Sequence, residues 1–463
     1  MYACLRRLMP FIAGMLAASG AVHADAIDDM MRAQMQLNHV PGAAVAVIRN
    51  GQVEKMQAYG VANLEHNVPV TTSSAFQIAS ATKIFTGVLL AHLADQGKLS
   101  LDDPVTRYLP DAPATWAGIT LRHLGNHTAG FGMSEPGPTS ETMEQAVAAI
   151  MKRPLATRPG EREQYALDDF IVLAHIMQKA SGKTYQQLLD EVIIKPLGLE
   201  NTRFENGVDR GSVNRADVVP GRVSLYSWEN GQQRLFWFVY PPASYAAGGL
   251  FTSIADIAKV MQAIDRGQLL SEAGRKAVWT ANTLSNGKRG GFGIGWVAGP
   301  VRGKPAVGHS GGPALGDVLY VPGEHLGVVV LTNQRSLYPV LAKAVAGHYL
   351  PAPSFINEAG IRDSDPAQSK RLFELVRALG RGDADGELLA ANQLPDLAEQ
   401  NLWTSRRVSV LPAPSRMVLL SDATAAGKRT RVYRVVYGTD ATQRWRFVLD
   451  ADGKISDFEI SDE

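Results

Sequence analysis

The chain passes from Ser80-Ala81-Thr82-Lys83 straight into the apolar run Ile84 to Leu93. That run predicts a buried helix. Residues three apart on a helix share a face, so the Ser80 hydroxyl and the Lys83 amine are expected as neighbours. A serine hydroxyl is a poor nucleophile until a base takes its proton, and an adjacent desolvated lysine can take it. The stretch therefore predicts acyl-transfer chemistry.

Spacing alone is not specific, and the chain carries its own control. Ser285-Asn286-Gly287-Lys288 repeats the spacing inside a stretch rich in glycine and asparagine that continues to Gly293. Those residues favour turns, so nothing there holds serine and lysine on one face. It is expected to be a solvated loop.

The flanks of the Ser80 stretch predict the sheet. Gly42 to Ile48 and Val53 to Tyr59 read as strands joined by Asn50-Gly51, a strong two-residue hairpin signal. Ala26 to Asn38 reads as a preceding helix. Between residues 100 and 245 helical stretches alternate with loops, the clearest being Phe170 to Ala180 and Tyr185 to Ile194. Ile254 to Ile264 is a further helix, entered by Thr252-Ser253. From Phe292 the pattern turns to strands: Ile294 to Val297, Ala306 to Ser310, Asp317 to Val321 and Gly327 to Leu331. Leu337 to Tyr349 then reads as a helix. Strands at both ends with helices between predict one antiparallel sheet of mixed α/β (α+β) class, with a helical region inserted.

Residues 1–24 read as a secretory signal: Arg6 and Arg7, the apolar run Leu8 to Ala18, and a small-residue cleavage site ending at Ala24. A periplasmic or secreted location is expected. Cys4 leaves with the signal, so the mature chain has no thiol, which excludes disulfides, iron–sulfur clusters and cysteine nucleophiles. Cleavage moves the balance from 46 basic and 45 acidic residues to 44 and 45. With no cationic cluster, neither nucleic acid nor an anionic membrane is expected as a partner. Residues 25–350 are assigned to the large domain and 351–365, with Pro351 and Pro353, to a linker. Residues 366–463 are expected to form a small α+β unit, of cystatin- or NTF2-like type, with helix Gln368 to Leu379 and strands Met417 to Leu420, Thr430 to Tyr437, Trp445 to Leu449 and Ile455 to Ile460.

Two further segments add to Ser80: Tyr165-Ala166-Leu167, leading into a helix, and His309-Ser310-Gly311-Gly312, ending a strand. In this order, with Leu121 to Gly132 (LRHLGNHTAGFG), Ala246 to Leu250 and Phe292 to Trp296 in support, the chain resembles the serine β-lactamase and penicillin-binding-protein superfamily. It is most similar to the branch of class C β-lactamases, D-amino-acid-specific peptidases and β-lactamase-like esterases. The resemblance covers roughly residues 30 to 350. It implies Ser80 as nucleophile, Lys83 as its base and Tyr165 as proton shuttle to the leaving group. It implies His309 at the third-motif cation position, with Ser310 and Gly311 lining the substrate side. The N–H groups of Ser80 and Gly312 match the oxyanion hole. No cofactor and no metal are implied, and the substrate is a small-molecule or peptide ester or amide.

Two positions depart from that pattern. Leu167 stands where class C enzymes carry an asparagine, which removes a polar clamp, and Asp168 faces elsewhere if the segment is helical. His309 stands where β-lactamases carry lysine, and a mostly neutral histidine holds a substrate carboxylate more weakly. Both favour an esterase or amidase. A D-amino-acid-specific or cell-wall peptidase with weak β-lactamase activity, and a non-turnover β-lactam or peptidoglycan sensor, are the alternatives. His123 and His127, four apart, have no further ligand nearby to suggest zinc, and Asp450 to Gly453 reads as a hairpin turn.

Overall fold

The computed structural model describes residues 26–133, 141–206, 208–210, 213–312, 315–335 and 337–463. The expected signal peptide, with Cys4 and the cleavage site, lies outside the described residues. Among the described residues no helix is long and apolar enough to cross a membrane.

The two ends of the large unit build one sheet. β1 (Gly42–Arg49) and β2 (Gln52–Asn63) form the N-terminal hairpin, with β3 (Val68–Pro69) at the edge. β4 (Val297–Val301), β5 (Lys304–Gly311), β6 (Gly316–Val321) and β7 (Leu326–Thr332) come from the far end. The order is β4-β5-β6-β7-β1-β2-β3, with every neighbour antiparallel. β1 and β7 join the ends, in register from Ala43 opposite Thr332 to Arg49 opposite Leu326. The β1–β2 turn works because Asn50 and Gly51 both take positive φ, 49° and 70°, as a primed turn demands.

Strand periodicity sorts β1 between two cores. Ala44, Ala46 and Ile48 pack under α2 (Lys83–Asp95) and the inserted helical region, which includes α3 (Leu167–Ser181) and α4 (Ile254–Asp265). Ala43, Val45 and Val47 pack on the other face, against α1 (residues 26–37) and α5 (Leu341–Gly347). α2 is buried almost all round, as its run of apolar residues predicts. The mixed, antiparallel fold expected from the sequence is therefore the observed one.

Two element boundaries differ from expectation. Ile294 to Trp296 is a turn, and the strand begins at Val297. Gly295 takes φ 72° and lies so close to α2 that a Cβ would stand 2.2 Å from the Lys83 carbonyl oxygen. Apolar content mimics a strand there, but the glycines serve backbone contact with a helix. The last helix starts at Leu341 rather than Leu337, because Pro339 disfavours helical geometry in the residue before it.

The C-terminal unit is a four-stranded meander, β8 (Pro414–Ala425), β9 (Lys428–Tyr437), β10 (Ala441–Leu449) and β11 (Ile455–Asp462). It carries α6 (Pro366–Arg381) and a helix the sequence did not reveal, α7 (Leu397–Val408). Leu372, Leu375, Val376 and Leu379 of α6 pack on Tyr433, Trp445, Phe447 and Ile455. The expected linker is no free tether: Ile361 N–H donates to Leu419 O at 2.9 Å, and the Phe355 carbonyl accepts from Arg434 Nη1 at 2.8 Å.

Candidate active site

Ser80 sits in a tight 3-10 turn, Ala79–Thr82, that feeds α2. The turn is entered through Ala79 at φ 45°, a left-handed conformation that alanine adopts only when its surroundings impose it. Ile78 N–H donates to Leu250 O at 2.9 Å. Thr82 Oγ1 donates to Ala79 O at 2.6 Å. Gly311, ending β5, closes the third side: a Cβ on it would stand 2.0 Å from Ile78 O. Gly312 follows at φ 77°. The Gly311-Gly312 corner thus lies against the backbone of the Ser80 turn.

Lys83 opens α2 and is wholly buried. Its Nζ donates to Ala247 O at 2.8 Å and lies 4.8 Å from the ring centre of Tyr165 and 5.2 Å from that of Phe170. Tyr165 immediately precedes Ala166, the N-cap of α3, and its side chain is 39% exposed. The phenol is therefore open to an incoming molecule while the amine behind it is not. Leu167, the first residue of α3, packs into the large core. Asp168 is buried and paired with Arg153 at 2.5 Å, away from this cluster.

His309 approaches from β5, its ring centre 6.2 Å from that of Tyr165. Its Nδ1–H donates to the Ser310 carbonyl at 2.7 Å, which leaves Nε2 as an acceptor, buried with no partner among the described residues. Burial, and secondarily the Lys83 charge, pushes its pKa down to about 3. Burial thus disfavours an imidazolium at the third-motif position. Strand alternation turns Ser310 to the opposite face, where its hydroxyl lies 3.5 Å from the buried Asp317 carboxyl. Of the expected substrate-side residues, Gly311 and Gly312 adjoin the Ser80 turn and the Ser310 side chain does not.

Three residues of this site escape the sequence pattern. His127, in the left-handed region at φ 60°, is buried against Tyr165 with ring centres 4.4 Å apart. Its Nδ1 lies 2.7 Å from Asp169 Oδ2 on α3. Its imidazole is thus engaged away from His123, whose Nδ1 accepts from Thr120 N–H at 3.2 Å, and the two histidines form no pair. Glu163 accepts from Gly291 N and Phe292 N at 2.8 and 2.9 Å and from Asn282 Nδ2 at 2.6 Å. This holds Phe292 beside Tyr165, ring centres 6.0 Å apart. The only sequence signal for any of the three was that His127 falls in the Leu121 to Gly132 segment. As a whole, the cluster sets a buried amine, a part-exposed phenol and a buried imidazole close to one another at the start of α2.

A family model described as Beta-lactamase matches residues 27–347. The chain belongs to the beta-lactamase family. Among its relatives, it is 28% identical to penicillin-binding protein 4* of Bacillus subtilis over 291 residues, 59% of this chain and 63% of that one. It is 30% identical to the protein flp of Staphylococcus aureus over 194 residues, 39% of this chain and 38% of that one. The chain thus spans less than two thirds of the length of these curated relatives. Among solved structures, the octameric penicillin-binding protein homologue from Pyrococcus abyssi superposes with a TM-score of 0.62 at 21% identity, covering 95% of this chain and 98% of that one. The D-amino acid amidase from Ochrobactrum anthropi gives 0.57 at 20% identity, covering 70% and 96%. These structures share the fold of this beta-lactamase-family chain. The first spans the C-terminal unit as well.

Proposed function

We propose that this chain is an exported serine hydrolase that cleaves ester or amide bonds through an acyl-enzyme on Ser80. The observation that carries the reading is a fully buried Lys83 amine behind a solvent-reachable Tyr165 phenol, one turn from a constrained serine. Ser80 Oγ attacks the substrate carbonyl carbon while its proton passes to the Lys83–Tyr165 pair. The developing oxyanion is received by the N–H groups of Ser80 and Gly312, each such donor contributing about 3 kcal/mol. Collapse breaks the bond to the leaving group, which takes the proton from Tyr165. Water then releases the acyl group by the reverse proton path.

The neutral His309 and the apolar Leu167 favour substrates without a carboxylate beside the scissile bond. Esters and uncharged amides are therefore preferred over β-lactams. Export rests on the sequence of residues 1–24. Intact-mass measurement after mixing with a short p-nitrophenyl ester and with labelled penicillin tests the proposal. Transient acyl adducts and product from the ester, absent in Ser80→Ala, are expected. A persistent penicillin adduct with no ester turnover would replace the enzyme with a sensor.

A further inference from the structure

We propose that His127 and Asp169 form a buried, net-neutral positioning pair that fixes the Tyr165 phenol for proton transfer. The inference rests on the Ser80–Lys83–Tyr165 reading and names residues that the reading does not need.

The geometry is specific. The residues on both sides of Tyr165 are tied to the one histidine: Gln164 N–H donates to the His127 carbonyl at 2.8 Å, and Ala166 N–H points at His127 Nδ1 at 3.4 Å. The imidazole itself underlies the phenol ring. Asp169, in the first turn of α3, orients that imidazole from behind, and both side chains are 1% exposed. The tautomer that accommodates both contacts makes Nδ1 the acceptor, facing the Ala166 N–H and taking the proton of the 2.7 Å contact from Asp169. Burial favours the same state, raising Asp169 well above and lowering His127 well below their ordinary values. His127 Nε2 and Asp169 Oδ1 stay buried with no partner among the described residues.

Burial is the main force toward a neutral pair, and the neighbouring charges divide: Lys83 opposes a cationic His127 and Asp168 an anionic Asp169, while Lys83 favours the Asp169 carboxylate. Lys83 on α2 and His309 on β5 face His127, while Asp168 on α3 and Lys83 face Asp169. Asp168 is already paired with Arg153. An ionised Asp169 would place a charge in a fully buried site, where it needs a counter-charge. A protonated Asp169 orients the imidazole without doing so.

Asp169→Ala, Asp169→Asn and Tyr165→Phe, singly and as Asp169→Ala/Tyr165→Phe, test this with a p-nitrophenyl ester across pH. Asp169→Ala is expected to lower kcat about 100-fold with little change in KM, the scale of a misplaced catalytic group. Asp169→Asn, which can still donate to Nδ1, is expected to recover most of that loss. It should leave the acid limb of kcat/KM in place. Adding Asp169→Ala to Tyr165→Phe should cost little more than Tyr165→Phe alone, because the two act through one phenol. An additive double variant overturns the positioning role. An acid limb drawn to lower pH by about one unit or more in Asp169→Asn overturns the neutral pair, since that shift means a negative charge was removed beside Lys83. Asp169→Asn carries the test even where Asp169→Ala fails to fold. Failure of the Ser80 reading shows separately, as turnover that survives Ser80→Ala.

Discussion

Gly311 lies against the nucleophile turn so closely that a Cβ on it would stand 2.8 Å from the amide nitrogen of Ser80. The same atom would meet the Ala81 nitrogen at 3.0 Å, and neither is the end of a flexible side chain that can swing away. Gly311→Ala should therefore displace the Ser80 turn or the end of β5. The expected cost is about 1–3 kcal/mol of stability, the range for overpacking a filled site. Ester turnover should fall further than the change in melting temperature accounts for. Thermal melts alongside intact-mass acylation check it, and wild-type acylation in Gly311→Ala would show that the contact does not shape the site.

His309 gives a pH signature. Its folded-state pKa of about 3 lies below the ordinary 6.5, so between those values the unfolded chain binds a proton that the folded chain excludes. Stability from this group is fully present above about pH 6.5 and is lost as pH falls toward 3. The slope is at most about 1.4 kcal/mol per pH unit. Asp169, with its raised value, works in the opposite direction, so wild type alone does not isolate the effect. Comparing urea unfolding of wild type and His309→Gln from pH 4 to 7 does: the variant should lose nearly one proton of uptake. An identical slope in both would mean that His309 is charged in the folded protein.

The order of chemical groups along the chain was readable because each sits in a local pattern: a helix-borne Ser/Lys spacing, a tyrosine before a helix, a histidine and glycines ending a strand. The sheet was readable for the same reason, since the Asn50-Gly51 turn and alternating apolar residues are short-range signals. What failed was long-range. The His127–Asp169 contact joins residues 42 apart and depends on a left-handed backbone at His127 that no residue type announces. The turn at Ile294 to Trp296 looked like a strand because its contact with Lys83 and Gly87 on α2 is invisible in composition. α7 was missed because its buried residues, Thr404 and Val408, are too few to set a period against a polar background. The direction of Ser310 needed only strand alternation from His309, and that step was available from sequence.

Glu163 binds the loop bearing Phe292 from across 128 and 129 positions of sequence. Glu163→Ala leaves two backbone N–H groups without their acceptor and the Asn282 amide with only the longer bond to Asn126 O at 3.4 Å. Losing charge-assisted hydrogen bonds of this kind costs about 1.5–3 kcal/mol. Phe292, released, should no longer pack beside Tyr165, so kcat should fall together with stability, and Glu163→Gln should retain an intermediate share. Urea melts with steady-state kinetics on one ester check it. Full activity in Glu163→Ala would separate this loop from the site.

Asp462, at the end of β11, receives two cations from elsewhere: Lys343 on α5 of the large unit and Arg407 on α7 at 3.2 Å. Arg407 in turn donates to the Tyr338 hydroxyl at 2.8 Å, just before α5. The same α5 takes its helix-start hydrogen bond from Asp317, whose carboxyl accepts from Ala342 N at 2.9 Å and lies opposite Ser310 in the β5–β6 register. A continuous chain of polar contacts thus runs from the C-terminal sheet to the strand that carries His309. Asp462→Ala strands both cations near the junction and should cost about 1–2 kcal/mol, between the exposed and buried ion-pair ranges. The loss should fall on the docking of the C-terminal unit, so that limited proteolysis cuts residues 351–365 faster while ester turnover changes much less. Turnover that falls in step with proteolysis would instead show that the contacts reaching β5 transmit the state of the C-terminal unit to the acylation site.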